Sequence, residues 1–262
     1  MSQLTTADLY DRVREAAERY EPAALVTIVN GPGAGRKLAI VDSEQIGTLG
    51  NERLDQYAVD HAQALMDAEK SETVPTEGPE GSVDLFYDVY PAPPTLIIFG
   101  AVHAAQPLTK IAKMLGYRVL ISDARAKLAT EERFPEADEV IVAWPEEALA
   151  RYRIGRNSYL AILTHDPKFD EPALIGSLET KAPYIGAVGS RKTNRDRRER
   201  LRNAGVSDES LSRIRGPIGL DIGASSPEEM AISIMAEIIA VRKGRVGGPL
   251  TEATGSIRGD AS

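Results

Sequence analysis

Several short stretches of the 262-residue sequence place polar or basic side chains straight after apolar runs. In an open parallel sheet those are the positions that meet a ligand. The run Leu96–Phe99 ends in Gly100-Ala101-Val102-His103-Ala104-Ala105. A dinucleotide-binding turn reads G-x-G-x-x-G or G-x-G-x-x-A, so Gly100 and Ala105 fit and Val102 replaces the second glycine, where its β-branched side chain is expected to hold a phosphate off. His103 falls in the first turn of the following helix, where it can contact a ligand or cap. Asp123 closes the next strand, at about the 20-residue spacing of a ribose-binding acid. Arg125, two residues further, is grouped with it. Thr164, His165 and Asp166 together end another apolar strand, and an imidazole beside a carboxylate can carry a proton or hold a ligand. Gly189, Ser190 and Arg191 open a basic helix whose first amides can receive an anion, with Arg191 as a bidentate clamp. Gly219 and Asp221 lie in the glycine-rich run GPIGLDIGASSPEE, a candidate binding loop.

Each of these has a purely structural account beside the chemical one. Asp166 or Thr164 can cap a turn, and Asp170 is expected to N-cap the helix that follows. Arg195, Arg197, Arg198, Arg200 and Arg202 run around one helix between Asp196 and Glu199, the pattern of a solvated face. Arg133 is expected in a surface loop, with the crevice at the strand switch as the alternative, and His61 on an exposed helix face. Three scattered histidines and no cysteine make a dedicated transition-metal site, a disulfide or an iron–sulfur cluster unexpected. No P-loop, G-x-S-x-G elbow or H-E-x-x-H is present.

Those side chains need a scaffold, and the pattern supplies one. From Thr95 onward, apolar runs (TLIIFG, YRVLISDAR, DEVIVAW, SYLAILTHD, PYIGAVGS) alternate with helical segments. This predicts an α/β, Rossmann-like parallel sheet with helices on both faces over residues 93–243. Ser226, Pro227 and the acids Glu228 and Glu229 mark the start of its last helix. Residues 1–92 read as a small α+β domain. Its helices run from Asp8 to Arg19 and from Glu52 to Ala68, its strands are AALVTIVNG, Lys37–Val41 and VDLFYDVY, and Ser71–Ser82 is an exposed loop. The prolines of PAPP stiffen the boundary. The glycine-rich run 244–262 is expected to be a flexible tail. Hydrophobic residues make up 42%, charged residues 27%, and the net charge is −8, so a nucleic-acid partner held on a broad basic face is not expected. No apolar run reaches the ~20 residues of a membrane span, and the amphipathic start does not read as a signal peptide. A cytoplasmic protein is the expectation.

The runs GYRVLISDARAKLATEERFPEADEVIVAWPEEAL, LTHDPKFDEPAL, APYIGAVGSRKTNRDRRERLRNAGV and GPIGLDIGASSPEEMAISIMAEIIAVRKG occur in this order between Thr95 and Leu250. In them the chain resembles the C-terminal domain of the XdhC/CoxI family, accessory proteins of molybdenum hydroxylases such as xanthine and carbon monoxide dehydrogenase. The resemblance implies binding of molybdenum cofactor (molybdopterin), cooperation with a cysteine desulfurase, delivery to an apo-hydroxylase, and a homodimer. It implies a chaperone with no turnover chemistry of its own. The chain departs from the family in three places. The family turn reads like G-A-G-H-V-A, where His103 matches and Val102 does not. The family's N-terminal G-S-x-G-G-x-x-E segment corresponds to GTLGNERLD, Gly47 to Asp55, retaining Gly50 and Glu52, and the family cysteine is absent. An NAD(P)-dependent oxidoreductase with His165 as acid/base, or a non-catalytic nucleotide-binding module, are the alternatives.

Overall fold

The structure, a computed structural model, describes residues 5–152 and 154–253. The chain divides after Pro93 into two compact units.

In the first unit, α1 (Thr6–Glu18) starts at Thr5, whose hydroxyl and Asp8 close a reciprocal capping box. Then come β1 (Ala23–Asn30), β2 (Lys37–Val41), β3 (Glu44–Gly47), α2 (Glu52–Asp67), β4 (Glu72–Gly78) and β5 (Gly81–Tyr90). The strands form an antiparallel sheet in the order β3-β2-β1-β5-β4. Alternation along β1 and β2 serves both faces. Ala24, Val26, Leu38 and Ile40 meet Leu54, Ala58 and Ala62 of α2, while Leu25 and Ala39 meet Leu9 and Val13 of α1. Two strands escaped the sequence pattern. Asp42 and Ser43, with φ of 47° and 75°, close a two-residue hairpin onto the first of them, β3. Ser71–Ser82, expected as a loop, forms β4 and the start of β5. An edge strand carries alternating half-exposed residues, and Pro75 is tolerated there because one side of the strand has no donor to supply.

The second unit contains β6 (Thr95–Phe99), α3 (Ala105–Met114), β7 (Arg118–Ser122), β8 (Glu139–Ile141), α4 (Pro145–Arg151), β9 (Ser158–Ile162), α5 (Pro167–Leu178), β10 (Tyr184–Ala187), α6 (Arg191–Asn203), α7 (Asp208–Ser212), β11 (Ile214–Arg215) and α8 (Pro227–Arg242). Its sheet is parallel, in the order β11-β10-β9-β6-β7-β8. This is the doubly wound arrangement, and the winding reverses between β6 and β9. The strands are apolar on both sides because both faces are covered. Leu96 and Ile98 pack with α3 and α8, and Ile97 and Phe99 pack with α4, α5 and α6. The α/β class with a helix-flanked parallel sheet and a small α+β unit before it is thus as expected. Of the run 244–262, residues 254–262 lie outside the described residues, and the rest is irregular apart from a 3-10 turn at Leu250–Glu252. Among the described residues no helix is long and apolar enough to cross a membrane.

Candidate functional site

The reversal point is built around Gly100. Its amide donates to the Ser122 carbonyl (2.8 Å), and its φ of 110° belongs to glycine. A Cβ there would lie 2.5 Å from Thr164 Cγ2, so the ends of β6 and β9 approach as closely as the chain allows. The next residue is gripped from both sides. The Ala101 amide donates to Asp123 Oδ2 (2.8 Å), and its carbonyl accepts from Arg133 Nη1 (2.9 Å), which also donates to the Leu128 carbonyl (2.7 Å). Arg133, expected on the surface, is instead a half-buried clamp on the glycine turn.

Asp123 is buried, with all its acceptor positions engaged. Besides the Ala101 amide, it receives the Arg125 amide (2.9 Å), Arg125 Nε on Oδ1 (2.8 Å) and Arg125 Nη2 on Oδ2 (2.7 Å). Burial raises its pKa, but the hydrogen bonds from Arg125 and Ala101 outweigh that and hold the carboxyl below the usual range. The same contact raises the Arg125 pKa. The Arg125 side chain is 42% exposed and its guanidinium lies 5.7 Å from the centre of the Phe169 ring. Phe169 packs on Trp144 (5.0 Å between centroids), and Lys168 Nζ sits 4.9 Å over the indole. Asp123 and Phe169, with Phe99, Gly100, Ala143 and Thr164, line a pocket holding about 10 Å³ of water-accessible space.

Behind Thr164 runs a second polar group, buried and self-contained. The Thr164 hydroxyl donates to Asp170 Oδ1, and Arg197 Nη2 donates to Asp170 Oδ2 (2.7 Å). Arg197 Nη1 reaches the Val188 carbonyl (3.0 Å) and Asn194 Oδ1 (2.6 Å). Burial pushes the Asp170 carboxyl up to about 6, against the opposing pull of Arg197. Two expectations are corrected here. Asp166, not Asp170, caps α5, accepting from the Lys168 amide (3.0 Å). Arg197 is not on a solvated face, since its side chain is 2% exposed. The spacing Asp170–Arg197 crosses from α5 to α6, so neither helix alone reveals the pair.

The structure therefore gathers Gly100, Asp123, Arg125 and Thr164 at one point. His165 and Asp166 are exposed beside it, and the Asp166 charge reaches Arg125. Gly189, Ser190 and Arg191 follow β10. Ser190 caps α6, Arg191 is exposed, and Asn194 Nδ2 holds the Gly189 carbonyl (2.9 Å). Gly219 and Asp221 stand apart from the pocket. The Gly219 amide donates to Glu237 of α8 (2.8 Å), which also accepts from Tyr184 Oη (2.7 Å), and Asp221 is exposed. His103 is exposed ahead of α3. His61, expected exposed, is half-buried between Tyr57 and Tyr87. Trp144 and Phe169 went unnoticed in the sequence. The signal was there: an aromatic residue just past a strand end, and another in the first turn of the next helix but one. Among the described residues, no three His, Cys, Asp or Glu side chains gather as a metal site.

Val102 does not stand in the pocket's way. It packs half-buried on the core shared by α3 and α8 and is not a lining residue. Val102→Gly is expected to lower stability by about 1–2 kcal/mol through lost packing and backbone entropy. Ligand affinity at the pocket should not change. Urea titration checks the first, and ligand titration of the same variant the second.

Residues 96–238 match the model of the XdhC Rossmann domain, and residues 16–76 match the XdhC and CoxI family. Among curated relatives, a protein of Bacillus subtilis (strain 168) named as a probable xanthine dehydrogenase component is 35% identical over 150 residues, 57% of this chain and 43% of that protein. The uncharacterized protein YqeB of Escherichia coli (strain K12) is 25% identical over 258 residues, 92% of this chain and 47% of its own length. The molybdenum cofactor insertion chaperone PaoD of the same strain is 30% identical over 147 residues, 56% of this chain and 40% of PaoD. The chain thus spans less than half the length of these relatives. A crystal structure described as a xanthine dehydrogenase from Bacillus halodurans has the same fold, with a TM-score of 0.54 at 21% identity, covering 93% of this chain and 97% of that one.

Proposed function

Since the chain belongs to the XdhC and CoxI family, through a Rossmann-domain model that spans residues 96–238, we propose that it is a non-catalytic carrier of molybdenum cofactor. In this reading it receives the cofactor and delivers it to a molybdenum hydroxylase of the xanthine or carbon monoxide dehydrogenase kind. A cysteine desulfurase is the proposed source of the sulfur ligand, and a homodimer the proposed working form. The observation that carries the reading is one of placement: every residue lining the pocket at the sheet reversal lies inside the stretch that matches the family's Rossmann domain. The name of PaoD supports the cargo.

The donor chemistry fits the organic part of such a cofactor rather than its metal. The chain has no cysteine, and no cluster of metal-type ligands occurs among the described residues. The cofactor brings its own dithiolene for the molybdenum. What this chain contributes is a carboxylate with two parallel acceptor oxygens (Asp123), on which the partly exposed Arg125 guanidinium rests, and an aromatic wall (Phe169). Gly100 and Thr164 set the depth of the pocket. His165, Asp166 and Arg191 are proposed to meet the ligand from the rim.

Thermal shift with molybdopterin, NAD(H) and NADP(H) tests the reading. At about 100 times Kd, molybdopterin is expected to stabilise the chain by about 2.7 kcal/mol, and the nicotinamide cofactors to leave Tm unchanged. A shift with a nicotinamide cofactor alone would replace the carrier reading with an oxidoreductase one.

A further inference from the structure

Arg125 is bound to Asp123 in a specific way. Nε–H and Nη2–H, two donors on one planar N–C–N unit, lie side by side on the two carboxylate oxygens, at 2.8 and 2.7 Å. The guanidinium carbon lies 5.7 Å from the centre of the Phe169 ring, which itself rests on Trp144. A pterin carries the same N–C–N unit. Its N3–H and 2-amino group are adjacent donors on one flat edge, and N1–H with the 2-amino group of guanine repeats the pattern. We infer that Arg125 is an internal stand-in for the 2-amino-4-oxopyrimidine edge of the ligand. That edge displaces the guanidinium, pairs with both oxygens of Asp123 and takes its place beside Phe169 and Trp144. This deepens the carrier reading and rests on it for the class of ligand.

Three features support the exchange. Asp123 keeps two fixed donors, the amides of Ala101 and Arg125, so the carboxylate stays oriented when the guanidinium leaves. Arg125 is displaceable, being 42% exposed, whereas Asp123 is 2% exposed and cannot be served by water as well as by a paired edge. Finally, the pocket against Asp123 and Phe169 has room for about one water molecule, so a heterocycle reaches the carboxylate only where the guanidinium gives way.

Trp144 is the single tryptophan of the chain and stands on Phe169, so its fluorescence reads this place directly. Titrating the full chain with pterin and with lumazine, which has an oxo group in place of the 2-amino group, needs no variant. Pterin is expected to change the Trp144 emission with an affinity about 10–100-fold above that of lumazine, the range of a good bidentate pair. Guanosine monophosphate against inosine monophosphate repeats the comparison for the purine. It tells whether the edge is taken from a pterin, a nucleotide or both. Arg125→Ala, a change at an exposed side chain, removes the competitor and is expected to tighten pterin several-fold. Equal affinities for the 2-amino and 2-oxo ligands would overturn the assignment, and so would unchanged or weaker pterin binding by Arg125→Ala. Such a result with molybdopterin still bound leaves the carrier reading standing. Pterin selectivity intact with no molybdopterin retained removes the carrier reading instead.

Discussion

Arg197→Met is expected to destabilise the Rossmann unit by about 3–5 kcal/mol, the cost of leaving one member of a buried ion pair alone. Asp170 and Arg197 are each 2% exposed and 2.7 Å apart. The substitution strips the carboxylate of its charge partner and also leaves Asn194 Oδ1 and the Val188 carbonyl without a donor. The loss should depend on pH with a definite sign. The Asp170 carboxyl already sits above its ordinary value, at about 6. Without Arg197 it moves further up, because the largest influence opposing burial is gone. A carboxyl whose folded pKa exceeds its unfolded value favours the folded state when protonated, and that contribution is lost as pH rises through the folded pKa. The variant should therefore be closest to the parent at acidic pH and furthest from it above neutrality. Adding Asp170→Asn should recover part of the loss, since the two positions are coupled. Urea unfolding followed through Trp144 checks all three statements. A loss under 1 kcal/mol, or one that shrinks with rising pH, would show that the pair is not carrying the junction between α5 and α6.

The second large effect belongs to Gly100→Ala. A non-glycine residue at φ of 110° costs about 1–3 kcal/mol in backbone strain. The added methyl also meets Thr164 Cγ2 at 2.5 Å and the Thr164 amide nitrogen at 3.1 Å. Either β6 and β9 part or Thr164 rotates off Asp170. A total near 3 kcal/mol corresponds to a fall of about 6–12 °C in Tm for a chain of this size. Pterin binding should weaken with it, because Gly100 and Thr164 both line the pocket. A variant that melts within 2 °C of the parent would mean that the turn has slack that its contacts do not show.

What the residues alone made legible was the scaffold, and the reason is periodicity. Strands buried on both faces read as unbroken apolar runs, and capped helices announce their starts, as Ser226 and Pro227 do for α8. Gly100, Asp123 and Thr164 were legible as strand-end residues for the same reason. Partnership was not legible. Arg197 looked like one arginine among six on a polar helix, and only the packing of α6 against α5 turns it inward to Asp170. Arg133 lies 32 positions from the carbonyl it holds. The β4 edge strand was missed because half-exposed alternation resembles a polar loop when a proline interrupts it. The packing of Trp144 on Phe169 joins the N-cap residue of α4, past the end of β8, to the first turn of α5, which no local pattern connects.

The shortness of three of the four outermost strands bears on how two copies of the chain can associate. The parallel sheet ends in β8, three residues long, on one side and in β11, two residues long, on the other. The antiparallel sheet ends in the four-residue β3 and in β4, where Pro75 supplies no donor. Among the described residues, the parallel sheet thus offers no margin long enough to be continued by a neighbour strand for strand, and along the seven-residue β4 Pro75 interrupts the row of donors. Apolar side chains stand exposed instead on a helix surface, where α8 leaves Ile232 53% and Ile239 37% exposed.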